Sequence, residues 1–139
     1  VAQIPRLFSE TLAENIALGR DQSRLEAVLE QTTLTQDLAE MPDGTATTVG
    51  SRGLRLSGGQ AQRVATARSL LTQPELLIVD DLSSALDVAT ESDLWSRLRD
   101  EGTSTVIAVS HRQFVIDQAD QLITLEGGRI ASITTRSTR

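Results

Sequence analysis

The stretch Leu76-Leu77-Ile78-Val79 is apolar without interruption and runs into two carboxylates, Asp80 and Asp81. A half-buried strand alternates, whereas an unbroken run is the pattern of a parallel strand covered by helices on both faces. Thr105 to Val109 repeats that character, and between the two runs Leu94 and Leu98 fall at i and i+4 of a helical stretch. The segment therefore reads strand, helix, strand. Gln121 to Leu125 predicts a third strand, and Glu126-Gly127-Gly128-Arg129 turns it into Ile130 to Ile133, a hairpin with Gly-Gly at its turn. The second half is thus expected to be α/β, a parallel sheet with an antiparallel edge.

Upstream the chain reads helical. Ser23 with Glu26 three residues on is a capping-box pattern, and Leu25, Val28 and Leu29 then share one face. A short helix is predicted from about Leu34 to Glu40, stopped by the turn Met41-Pro42-Asp43-Gly44. Thr45 to Leu54 is Gly-rich and irregular. Gln60 to Leu71 then reads as a helix that must end before Gln73-Pro74, because a residue preceding Pro avoids the helical region.

Composition narrows the function. The formal charge is −6 with no basic run, so nucleic acid is not an expected partner. There is no Cys, which removes disulfide and thiolate chemistry, and no apolar run approaches the roughly 18 residues that span a bilayer. Every basic residue apart from the one His is Arg, so any chemistry needing a Lys on a phosphate must come from elsewhere. The first residue is Val and opens directly into apolar sequence, which suggests a fragment.

Three places carry chemistry. Leu56-Ser57-Gly58-Gly59-Gln60 stands at the mouth of a predicted helix, where unpaired N–H groups and a partial positive charge favour an anion and two glycines let it approach the backbone. The alternative there is a Ser N-cap with a Gly-Gly hinge. Asp80 and Asp81 end a parallel strand, the end at which open α/β sheets bind ligands. One carboxylate there can hold Mg²⁺ through water while its neighbour orients or deprotonates an attacking water; the alternative is a helix cap with a solvated second Asp. The next strand ends in Ser110-His111, and His111 gains interest only from the expected proximity of its strand end to that of Asp80.

In series these stretches resemble the nucleotide-binding domain of ATP-binding cassette (ABC) transporters. Leu56 to Gln60 is similar to the LSGGQ signature, Leu76 to Asp80 to the Walker B strand, Ser84-Ala85-Leu86-Asp87 to the D-loop, His111 to the switch histidine and Gln3 to the Q-loop. Leu12 to Ile16 and Thr48 to Gly53 resemble stretches flanking the helical subdomain of exporters. The resemblance implies a partial P-loop NTPase (RecA-like) parallel sheet with an inserted α-helical subdomain: a Q-loop region at 1–8, the helical subdomain at 9–72 and the C-terminal half of the RecA-like core at 73–139. It implies ATP and Mg²⁺ as cofactors and a head-to-tail dimer, homo or hetero, with a second such domain. Ser57, Gly58, Gly59 and Gln60 would meet ATP held by the partner, Asp80 and Gln3 would serve Mg²⁺, and Asp81 would take the place of the catalytic base. His111 would contact the γ-phosphate, Ser84 and Asp87 would lie at the dimer interface, and Gln3 to Asn15 would touch the transmembrane domain at the cytoplasmic face of the plasma (inner) membrane.

The chain also departs from the family pattern. It contains no G-x-x-x-x-G-K followed by Ser or Thr, the loop whose backbone N–H groups and Lys cradle phosphates, so the stretch is expected to be the C-terminal part of such a domain, to bind ATP weakly by itself and to expose apolar sheet surface. Where the family usually has Glu as catalytic base, Asp81 is one methylene shorter, which predicts slow hydrolysis at this site. Thr48 and Ser51 stand where many exporters carry Glu. A non-transport ABC ATPase and a truncated, non-catalytic remnant are the competing readings.

Overall fold

The computed structural model describes residues 1–51, 53–82, 84–100 and 104–136. They form two compact units, Val1–Val109 and Ser110–Arg139. In chain order the first holds α1 (Leu12–Ala17), α2 (Leu25–Gln31), α3 (Thr35–Ala39), a 3₁₀ turn (Gly44–Ala46), α4 (Gly58–Leu70), β1 (Leu76–Asp80), α5 (Val88–Asp100) and β2 (Thr105–Val109). The second holds α6 (Gln113–Gln118), β3 (Gln121–Glu126) and β4 (Arg129–Thr135).

A capping box starts α1. Thr11 Oγ1 accepts from Glu14 N at 3.1 Å, and the Glu14 carboxylate accepts from Thr11 N at 2.9 Å and Thr11 Oγ1 at 2.7 Å. The box expected at Ser23 and Glu26 does not form. Asp21 captures Ser23 instead: its carboxylate accepts from Ser23 N at 3.2 Å and from the Ser23 hydroxyl, and α2 begins after Arg24 with no side-chain cap. A local Asx turn competes for the same hydroxyl and wins.

The helix α4 runs through the middle of the helical region and is buried nearly all round. Val64 and Ala67 join Leu12, Ile16, Val28, Leu29 and Leu34 in one closed apolar cluster. A second cluster lies under the sheet, where Leu77 and Val79 of β1 meet Leu94 and Leu98 of α5. Leu70, at the end of α4, packs against both. That shared side chain fixes the signature helix to the strand that follows it.

β1 and β2 pair in parallel, with Leu76 opposite Thr105 and Asp80 opposite Val109. The expectation of burial on both faces holds on one only. Leu77 and Val79 are 3% and 0% exposed, whereas Leu76, Ile78, Ile107 and Val109 are 48%, 55%, 51% and 53% exposed on the opposite face. That bare apolar face agrees with the exposed sheet surface expected from the sequence. At the β1 edge Val1 extends the pairing, its N donating to Ile78 O and its O accepting from Asp80 N at 3.1 Å.

In the second unit β3 and β4 form an antiparallel hairpin, with Gly127 and Gly128 at φ 55° and 75°, the left-handed pair that a two-residue hairpin turn requires. Sequence suggested an antiparallel edge on the parallel sheet; β3 and β4 instead pair only with each other among the described residues. Arg136 closes this unit, its N donating to Asp120 O at 2.7 Å and its guanidinium to Ile116 O at 2.8 Å.

Candidate functional site

Ser57 is the N-cap of α4. Its hydroxyl accepts from Gln60 N at 3.2 Å, and Gln60 Oε1 accepts from Ser57 N at 2.9 Å. The helix therefore begins two residues earlier than the predicted Gln60, and Ser57 is exposed at its mouth. The cap sets the helix start, and the first-turn N–H groups of Gly58 and Gly59 have no intrahelical acceptor. Gln60 is committed further, since its Nε2 donates to Asp37 Oδ1 at 2.8 Å.

The two glycines have different reasons. A Cβ on Gly59 would lie 2.7 Å from Leu86 Cδ2 and 2.8 Å from Ala85 O, and on Gly58 3.3 Å from Ala85 Cβ. Gly59 is buried. Its bareness admits the Ala85 carbonyl and the Leu86 side chain, where the sequence reading gave it to an approaching anion.

At the tip of β1 the two carboxylates diverge. Asp80 is exposed, on the same face as Ile78, and its carboxylate meets no hydrogen-bond or ion-pair partner among the described residues. Asp81 is held from several sides: its N donates to Val109 O at 2.9 Å, its O accepts from the Ser84 hydroxyl at 3.0 Å, and its Oδ2 accepts from Gln3 Nε2 at 3.1 Å. It sits at φ 48°, a left-handed conformation that Asp tolerates better than most side chains but that still costs energy. Gln3, placed with Asp80 in the sequence reading, is thus brought to Asp81.

Sequence reasoning missed Gln62. This buried side chain in the first turns of α4 donates from Nε2 toward Gln3 O at 3.1 Å, Ser84 Oγ at 3.2 Å and Asp81 O at 3.4 Å. It also missed Arg63 and Asp37, a pair at 2.7 Å with side chains 9% and 15% exposed, which locks α3 to α4. Periodicity flags neither Gln62 nor Arg63, because the sequence of α4 shows no single apolar stripe against which a polar residue would stand out.

Asp87 caps α5. Its carboxylate accepts from Thr90 N at 3.0 Å, Ala89 N at 3.1 Å and Thr90 Oγ1 at 2.7 Å, and these bonds, that of the Thr90 hydroxyl foremost, hold its carboxyl below the usual range. His111 is exposed in the second unit, two residues before α6, beside Ser110 whose Oγ accepts from Arg112 N at 3.1 Å. Of the segment Gln3 to Asn15, Ile4 and Phe8 are exposed by 83% and 53%, whereas Leu12 and Asn15 are fully buried. Asn15 faces inward to bond Phe8 N at 2.8 Å and Phe8 O at 3.0 Å, so it braces this segment from within.

Among the described residues no group of three or more His, Asp or Glu could cage a metal. What remains is the exposed Asp80 carboxylate, a hard oxygen donor. That suits Mg²⁺, which commonly takes one or two carboxylates and completes its shell with water and phosphate oxygens.

A strand tipped by carboxylates, paired in parallel with its neighbour and set near a glycine-opened helix mouth, is the carboxyl-end architecture of a P-loop nucleoside triphosphatase. The ABC transporter family model matches residues 1–84, and the chain belongs to that family. It is 43% identical over 135 residues to the multidrug resistance-like ATP-binding protein MdlA of Escherichia coli, covering 94% of this chain and 23% of that protein. It is 42% identical over 134 residues to the ATP-dependent lipid A-core flippase of Burkholderia orbicola (94% and 22%), and 40% identical over 135 residues to the ATM1-type heavy metal exporter of Novosphingobium aromaticivorans (94% and 22%). The solved structure of a bacterial Atm1-family ABC exporter with ATP bound matches with TM-score 0.86 and 36% identity over 96% of this chain and 24% of that one. The chain spans roughly a quarter of the length of these relatives and corresponds to part of their nucleotide-binding domain.

Proposed function

We propose that this chain is the C-terminal part of the ATP-hydrolysing domain of an ABC exporter, working in a head-to-tail pair at the cytoplasmic face of a membrane. The observation that carries the reading is the tie of Gln3 to Asp81 beside the unpartnered carboxylate of Asp80. Asp80 would hold Mg²⁺, Gln3 would steady Asp81, and Asp81 would orient the attacking water and receive its proton. Ser57, Gly58, Gly59 and Gln60 would close on ATP bound mainly by the partner domain, and His111 would contact the γ-phosphate. Ser84 and Asp87 would face the partner, while the exposed Ile4 and Phe8 would meet the transmembrane domain.

Asp81 sets the rate. With one methylene fewer than Glu, its carboxylate stands about 1 Å or more farther from the water, and a displacement of that size costs on the order of 100-fold. We expect slow turnover by a transporter built from this domain alone, raised by Asp81→Glu and abolished by Asp81→Asn, as read by phosphate release. Fast turnover that Asp81→Asn abolishes defeats the slow-site reading. An absence of ATP binding and hydrolysis defeats the ATPase reading itself.

A further inference from the structure

Gln62 is 4% exposed, and its amide is aimed at three oxygens: Gln3 O at 3.1 Å, Ser84 Oγ at 3.2 Å and Asp81 O at 3.4 Å. Two amide hydrogens serve these, so the longest contact is shared. The reverse orientation of the amide would set its carbonyl oxygen against the Gln3 and Asp81 carbonyls, and the Ser84 hydroxyl already donates to Asp81 O at 3.0 Å. The acceptors therefore determine which end of the amide faces them.

The other end is left over. Gln62 Oε1 is buried with no partner among the described residues. A side chain needed only to fill this space would be better as Met or Leu, of similar size and with no polar atom to strand. What the amide supplies is donation, and its acceptors belong to the two segments that meet at Asp81. One is the main chain of Gln3, whose own amide bonds the Asp81 carboxylate; the other is Asp81 itself, in its left-handed conformation, with Ser84.

We propose that Gln62 is a positioning residue for ATP hydrolysis, fastening the main chains of Gln3 and Asp81 and the Ser84 hydroxyl to the helix that opens at Ser57. It touches no nucleotide and acts through the acid. The inference rests on Asp81 serving the attacking water, as set out above. Because the bonds orient the acid rather than ATP, their loss falls on kcat and leaves KM alone.

The test uses the transporter carrying this domain, with Gln62→Met, which keeps the volume and removes the donor, and Gln62→Asn, which keeps the amide but withdraws it by one methylene. Wild type, both variants, Gln3→Ala and the Gln62→Met/Gln3→Ala double are compared for kcat and KM of ATP hydrolysis and for a cooperative melt. We expect kcat to fall about tenfold or more in Gln62→Met, with KM within about twofold and the melt retained. The double should lose less than the product of the single losses, because both residues act on one carboxylate. Wild-type kcat in a folded Gln62→Met overturns the proposal, as does a rise in KM that accounts for the whole effect. If Gln62→Met does not fold, Gln62→Asn decides: a lowered kcat at constant KM supports positioning, and an unchanged kcat overturns it. If the wild type shows no hydrolysis sensitive to Asp81→Asn, the ATPase reading fails and takes this one with it. If that sensitivity is present and both Gln62 variants match wild type, positioning alone fails.

Discussion

The helical region and the parallel sheet of the first unit both bury apolar side chains but end in different states. Around α4 every large apolar side chain of the cluster is closed in, with Leu12, Ile16, Val28, Leu34 and Val64 at 0% exposure. Across β1 and β2 only the side facing α5 is closed, while Ile78 and Ile107 stand side by side at 55% and 51% exposure. A helix needs one apolar stripe covered, and its neighbours along the chain can do it; a parallel strand needs two layers, which come from distant sequence. Local chain is therefore enough for one region and not for the other.

Cavity formation breaks this comparison most sharply. Leu12→Ala is expected to cost about 2–5 kcal/mol in a urea titration, whereas Ile78→Ala should stay within about 0.5 kcal/mol. Equal losses would mean that the sheet face is covered after all. A smaller effect probes the seam between the regions: Gly59→Ala forces a methyl against Ala85 O and Leu86 and should cost about 1–3 kcal/mol, with Gly58→Ala well below it. The reverse order, in the same titration, would show that residues 85–86 do not rest on α4. The finest probe is acid. Bonds from Thr11, its hydroxyl foremost and then its backbone N–H, hold the Glu14 carboxyl below the usual range, so its stabilisation is complete above the ordinary glutamate range and is lost as pH falls through the lowered value. Thermal melts from neutral to acid pH should show that loss in wild type and a flatter response in Glu14→Gln.

Much of this was legible in residue order. The strands at Leu76 and Thr105, the hairpin at Gly127-Gly128 and the helix after the signature each carry a local pattern that tertiary structure did not override. The capping box was misplaced because the same rule is satisfied on paper at Thr11 with Glu14 and at Ser23 with Glu26, and only the Asp21 carboxylate decides against the second. Asp80, Asp81, Ser57 and Gln3 were found from the strand tip, the helix mouth and resemblance. Gln62 was not, because its three acceptors lie 59, 22 and 19 residues away, and no spacing rule links an amide on a helix to two loops and a strand end. The reason for Gly59 was equally hidden, since a close approach by residues distant in sequence leaves no mark on either stretch alone.

That closeness has a mechanical consequence. A joint between two side chains can absorb a small shift by changing rotamer on both sides, but at Gly59 one side has no side chain, and the place a Cβ would take is occupied by Ala85 O and the Leu86 side chain. A tilt at the start of α4 therefore meets residues 85–86 directly, as a cam meets its follower.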